Sequence, residues 1–542
     1  MASEARGESK TQGGEEGPQE PQTLNQRRQL ALIIVTAIIA ASIVIAFAYY
    51  EYSYESHIID YISDECWYVS AARNILRVYF GLTPHGPWGG VMATVELENP
   101  PSLSTYDEWV NQATRYVESI GGKVVKGNDY YAFKDDGNFL PAVCVVVPPQ
   151  NVSLLKSVPH SVKYVIGYCY PNARGILDYM NFEHPPLVKY LIGLVMITIG
   201  DYPPYWRVPS IIAGCLILVM MFLALRRICG EVVGAVLGLV AMILTAFDIT
   251  FRSLSMVAML DIFVALFTYM TYYMTLRGTL GGSAVALGLG FVSKFSGAFP
   301  GLPALVAWLK SKEKPARTLL YLIYVPVIML LVLSVPFIIH DGFMQWWDLS
   351  IAGAIRWHLS VKTTGGPPQA MPWDWIIGKN PFPLHYVWNA KTGRWVADLI
   401  ARGNPILYVA LVALSVYIIP KIRELPDRGL TYGFTWGTFF MYVLIWFLGS
   451  KTQYSFYSVQ VVPLFYTLLV LEVYYLLNAP KNIVEVAKSW KDWILIAWDW
   501  LAGYVEIKIS VTVRRVKPKK EEEGEGEAQS PERVTNEDAQ GN

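Results

Sequence analysis

Uncharged, apolar runs long enough to cross a bilayer, which takes ~20 residues, recur along this chain and leave it few architectures. They stand at residues 30–50, 208–225, 232–247, 262–276, 278–293, 295–309, 318–339, 404–420, 429–450 and 452–471. The sequence therefore predicts an all-α polytopic membrane protein with about ten transmembrane helices. Composition agrees, since 53% of the 542 residues are apolar, 16% are charged and the mean hydropathy is +0.32. The 44 basic residues balance 44 acidic ones, which excludes disorder for the chain as a whole and nucleic acid as its main partner.

Short basic loops set the expected orientation. Arg27-Arg28, Arg226-Arg227, Arg277, the 310–317 cluster and Lys421/Arg423/Arg428 fall at alternating boundaries, which predicts a multi-pass chain with both termini cytoplasmic. The first run follows Arg27-Arg28, has no small-residue cleavage site and ends in Tyr49, Tyr50 and Tyr52, so it reads as a retained helix, not a signal peptide. Residues 1–28 form an expected disordered tail, and 29–83 the first span with the start of an outer loop. Residues 84–171 mix helical and alternating patterns and predict a small α+β extracytoplasmic insertion. Residues 172–480 form the membrane core, with a second long outer loop at 340–403. Residues 481–516 suggest an interfacial helix and a strand-like stretch, and 517–542 a charged tail. Asn151-Val152-Ser153 is an N-glycosylation sequon. Five cysteines are too few for a disulfide scaffold, although Cys144 and Cys169 would form a pair on an oxidising face. No His/Cys/Asp cluster has metal-ligand spacing.

Candidate chemistry gathers at the predicted outer surface. Asp64-Glu65 follows the first span, and a carboxylate there can take a proton from an attacking hydroxyl; the alternative is a helix cap. Downstream, Asn181-Phe182-Glu183-His184-Pro185-Pro186-Leu187-Val188-Lys189 opens a helix near the interface, and Arg207 begins the next span. Any one such cation commonly just snorkels to water. Several cations converging with an acidic pair on one face match the needs of an anionic lipid phosphate.

These motifs resemble the protein O-mannosyltransferase family, of the GT-C class of multi-span glycosyltransferases that use lipid-phosphate sugars. The acidic pair Asp64-Glu65, the segment His184 to Lys189 and Arg207 match its pattern. Phe251-Arg252 through Asp261, the Gly-rich stretch around Ser293-Lys294, Arg356-Trp357-His358, Pro372-Trp373-Asp374-Trp375, Asn380-Pro381 and Gln453-Tyr454 to Tyr457 follow in order. The chain departs from the family's pattern at Val188, where a Gly is usual, and in the 84–171 insertion.

The resemblance implies transfer of mannose from a polyprenyl (dolichyl) phosphate donor to Ser or Thr hydroxyls of proteins, with inversion, in a membrane-embedded enzyme; a homo- or heterodimer is left open by the sequence. It assigns Asp64 as base with Glu65 in support, and Arg207 as the leading phosphate clamp with Lys189 and Lys294 helping. His184, Pro185, Pro186, Asp261, Arg356, His358, Trp373 and Trp375 would support the site; no metal or other cofactor is expected. Gln345-Trp346-Trp347-Asp348-Leu349 echoes an oligosaccharyltransferase motif but fails at its last two positions. The rival readings are a transferase of the same architecture that glycosylates a lipid, as aminoarabinose transferases do, and a secondary transporter. A transporter would carry its polar groups at mid-membrane and show repeated halves, which this chain does not.

Overall fold

The computed structural model describes residues 20–126, 131–133, 139–167, 176–311, 313–360, 368–389, 391–506 and 508. Most of the expected tail 1–28, Cys169, much of the strand-like stretch and the tail 517–542 lie outside these residues. The chain divides into two units, residues 1–487 and 488–542. The described part of the second is the end of the helix Pro480–Leu501, where the Trp490 and Trp493 rings lie 5.7 Å apart.

Within the first unit, helices dominate. Among the described residues, five are long and apolar enough to span a bilayer: 26–55, 203–229, 315–333, 405–424 and 430–447. The number rises to seven if each of two bent helix pairs counts as one span. The protein is thus a multi-pass membrane protein, but with fewer uninterrupted spans than the ten runs suggested. The runs are broken where helices turn back or bend. Residues 278–309 split at Lys294 into Leu280–Ser293, a turn and Gly301–Leu309, and Val233–Ala246 bends by 75° into Ile249–Ser255. The first helix starts earlier than expected and runs Glu20–Glu55. Ile38, Ile45, Ile328 and Val416 are exposed along the long helices, as lipid-facing side chains would be.

Between the first helices, β1 (Val91–Leu97), β2 (Lys123–Lys126), β3 (Tyr131–Phe133), β4 (Phe139–Val147) and β5 (Ser161–Ile166) form an antiparallel sheet of order β2-β4-β1-β5, with β3 on β4. Because alternate side chains face opposite ways, Ala93, Val95, Val143 and Val145 pack on Tyr106, Val110 and Val117 of the helix Leu103–Ser119. Met92, Cys144 and Val146 point instead into the main core. Cys144 is disulfide-bonded. The Asn151 amide of the sequon donates to the Ile120 carbonyl at 2.8 Å. Later, β6 (Phe382–Asn389) and β7 (Arg394–Ala401) make a hairpin whose root is held by Ser455 Oγ, which accepts from Phe382 N at 2.8 Å and donates to the Ala401 carbonyl at 2.7 Å.

Candidate active site

Asp64 stands at the N-cap position of the helix Glu65–Phe80, yet its side chain makes no capping hydrogen bond. The residue before it, Ser63, sits in the left-handed region at φ 51°, a conformation that costs energy for a residue with a Cβ and turns the dipeptide sharply. The two carboxylates consequently part. The Asp64 carboxylate lines a cavity of about 550 Å³, together with Tyr68, Asn181, His184, Lys294 and Tyr457. Burial pushes its acid up to about 6, with Lys294 pulling it partly back and Asp261 adding to the rise.

Glu65 turns the other way and is fully buried. Its Oε2 accepts from Ile62 N and its Oε1 from Ala258 N, both at 2.8 Å. It also accepts from Arg207, through Nε to Oε1 and Nη2 to Oε2, each at 2.8 Å. The rest of the Arg207 fork is occupied as well. Nη1 reaches the Glu55 and Ile58 carbonyls and, at 3.4 Å, Glu55 Oε2, while Nη2 reaches the Asp60 carbonyl at 2.6 Å. With 0% exposure and every guanidinium nitrogen engaged, Arg207 ties the end of the first helix to the Asp64 turn and lines neither of the cavities described here. The residue expected to clamp phosphate thus stands in a buried ion-pair network beside the Asp64 turn.

Lys189 is enclosed in a similar way. An ammonium has three donors, and Lys189 Nζ reaches three carbonyls, those of Met180 (3.3 Å), Asn181 and His184 (2.8 Å). It pins the loop that precedes its own helix, Leu187–Thr198, which starts after the buried pair Pro185-Pro186. That loop carries Asn181, itself left-handed at φ 53°, and His184 into the cavity wall.

Lys294 is the expected cation that remains at the cavity. It is held extended between the helix Leu280–Ser293 and the turn Phe295–Ala298. The reversal is so tight that a Cβ on Gly297 would lie 2.0 Å from the Gly290 carbonyl oxygen, so this turn admits only glycine there. Lys294 Nζ donates to Asp261 Oδ1 at 2.8 Å and lies 4.1 Å from the Tyr457 ring centroid. Asp261 Oδ2 is buried without a hydrogen-bond partner among the described residues.

His184, Lys294 and Tyr457 also line a second cavity, of about 420 Å³, whose other walls are largely apolar and include Phe291, Ile355, Leu359 and Leu448. His358 lines it too, and burial beside Lys294 lowers its imidazole to about 4. Burial likewise holds His184 well below the ordinary histidine value, so both rings are neutral near pH 7. A polar chamber lined by the Asp64 carboxylate and an apolar chamber thus meet at His184, Lys294 and Tyr457, of which Lys294 is the cation.

The remaining expected residues lie apart. Arg356 is exposed and paired with Asp348 at 2.9 Å. Trp373 stacks edge-on to Trp446 at 4.9 Å, and Trp375 is buried against Tyr442 at 5.0 Å. Neither tryptophan lines either chamber. Asn181, from the segment that ends at Lys189, lines the polar one, as do Tyr179 and Phe382, which nothing in their spacing singled out. Among the described residues, no group of three or more His, Cys, Asp or Glu side chains is placed to hold a metal.

Residues 183–340 match the family model described as dolichyl-phosphate-mannose-protein mannosyltransferase. The matched segment contains His184, Lys189, Arg207, Asp261 and Lys294 but not Asp64. No curated protein matches the chain. Among solved structures, ArnT from Cupriavidus metallidurans bound to undecaprenyl phosphate is similar at 17% identity and a TM-score of 0.39, covering 59% of this chain and 55% of that one. The Archaeoglobus fulgidus oligosaccharyltransferase in the apo form is similar at 12% identity and a TM-score of 0.29, covering 78% and 51%. The chain spans about half the length of these solved proteins. Its segment 183–340 carries the domain of the dolichyl-phosphate-mannose-protein mannosyltransferase family, the family that its motifs resemble.

Proposed function

We propose that the protein transfers mannose from a polyprenyl phosphate donor to the hydroxyl of a Ser or Thr in a protein, at the extracytoplasmic face. One observation carries this reading: the uncapped Asp64 carboxylate and the Lys294 ammonium line one polar chamber, and Lys294 also lines the apolar one. The donor's lipid chain lies in the apolar chamber, its phosphate at Lys294 and its sugar toward Asp64. The acceptor oxygen attacks the anomeric carbon from the side opposite the phosphate, its proton passes to Asp64, and the bond from carbon to phosphate oxygen breaks with its electrons leaving on the polyprenyl phosphate. The configuration inverts. A carboxyl raised to about 6 is a stronger base than an ordinary aspartate and is still ionised at pH 7. Asp261 holds Lys294 in place, while Glu65 and Arg207 build the turn that presents Asp64.

The test is to incubate the purified protein with radiolabelled mannosyl-phosphoryl polyprenol, a Ser/Thr-rich peptide and, separately, a lipid acceptor. Label in the peptide supports the reading. Label only in the lipid, or none with mannose but transfer with another sugar, replaces it with the lipid-modifying alternative.

A further inference from the structure

At the far end of the helical hairpin that begins beside Lys294, a pocket of about 430 Å³ is lined by Trp308, Ser311, Glu313, Lys314 and Arg317. Its Trp308 is 5% exposed, and the indole Nε1, a donor only, has no hydrogen-bond partner among the described residues. Arg317 lies over the Tyr321 ring at 5.6 Å and pairs with Glu313 at 3.3 Å, a partly exposed pairing that a stronger anion readily replaces.

The same two helices continue from this pocket into an apolar groove of about 310 Å³ between Leu302 and Leu305 on one side and Leu319, Leu322, Ile323 and Val327 on the other. Gly301, Leu305 and Trp308 recur at helical spacing, so groove and pocket share one face. The opposing helix passes through a π turn at Leu320–Tyr324, which offsets its side chains where the groove runs. This stretch belongs to the candidate span 315–333, so the groove faces lipid chains and the cations stand at the span's polar end.

We infer that this pocket and groove bind an anionic phospholipid of the surrounding leaflet, with its phosphate at Lys314, Arg317 and the Trp308 indole and its acyl chain in the groove. The cationic pocket complements a phosphate, and the apolar groove leading from it complements a chain. The site is separate from the one proposed for the sugar donor, because the helix Gly301–Leu309 between them rises about 13 Å. Phe291 lines both the groove and the apolar chamber at Lys294, so the two chains would meet at one side chain.

The experiment titrates the purified full-length protein in detergent with phosphatidylglycerol, with phosphatidylcholine of the same chains, and with inorganic phosphate, reading occupancy by native mass spectrometry. Phosphatidylglycerol is expected to bind at least tenfold more tightly than phosphatidylcholine. The double variant Lys314→Gln/Arg317→Gln, both surface changes, should lose roughly 30-fold for phosphatidylglycerol and almost nothing for phosphatidylcholine. Ile323→Trp, filling the groove, should weaken both lipids. Lys310→Gln, which removes a nearby charge outside the pocket lining, should retain the wild-type preference. Equal binding of the two lipids by the wild type, an unaffected double variant, or an equal loss in Lys310→Gln would overturn the proposal. So would phosphate binding as tightly as the lipid, which would leave a free-anion pocket.

Discussion

Arg207 and Glu65 face each other fully buried, with guanidinium Nε and Nη2 each 2.8 Å from one carboxylate oxygen. This bidentate pair decides what the neighbouring acid can do. It removes Glu65 from the chamber and fixes the turn, so that of the two adjacent acids Asp64 is the one that lines it, with Glu183 on the same wall as Asn181 and His184.

Asp64→Asn should lower the transfer rate by about 10²- to 10⁴-fold while leaving donor affinity unchanged. Single-turnover kinetics alongside a donor-binding titration would check this. A wild-type rate in the variant would show that the proton goes elsewhere.

Arg207→Ala leaves buried carboxylates without their partner and should destabilise the protein by about 3–5 kcal/mol. Thermal melting in detergent is the readout. A variant that melts like the wild type but binds donor weakly would return the phosphate to Arg207.

Lys294→Gln should weaken donor binding roughly 10- to 100-fold, because a charge-assisted bond at a nearly dry site is lost. Lys294→Arg should recover part of it, since the charge is kept while the tight turn limits the larger head. Binding of polyprenyl phosphate alone, without the sugar, measures this directly.

The pH dependence follows from the Asp64 carboxyl at about 6. The base works only when ionised, so the rate should rise through pH 6 and level off above it. His184 and His358, both lowered, should add no further step between pH 6 and 8. The sign for stability is opposite. A folded value raised above the unfolded 3.8 means that ionising Asp64 costs stability as pH rises from about 4 to 6. Asp64→Asn should therefore melt higher than the wild type at pH 7 and no higher at pH 4.

Orientation is testable by cysteine labelling with Cys66, Cys215 and Cys229 replaced. A cysteine at exposed Ser104 should react with an impermeant thiol reagent in intact cells, and one at Ser311 should not. The reverse pattern would move the chemistry to the cytoplasmic side.

The sequence by itself determined the membrane class, because apolar runs without charges have no other stable solvent, and it marked the segments that carry the chemistry by their residue types. It also marked the mixture of helical and alternating patterns in 84–171, where a helix and strands stand. What it left open were the questions that depend on groups far apart in the chain. Asp64 and Glu65 are equivalent as letters, and their roles separate because Ser63 turns left-handed and Arg207, 142 residues beyond Glu65, claims only one of them. Lys189, Arg207 and Lys294 are likewise equal as charges. Only the folded chain shows that carbonyls and carboxylates surround the first two, while the Gly290 and Gly297 backbones close tightly enough to leave Lys294 between two chambers. The number of uninterrupted spans was undecided for the same reason: apolarity says which residues avoid water, whereas the breaks at Lys294 and after Ala246 are set by packing between helices.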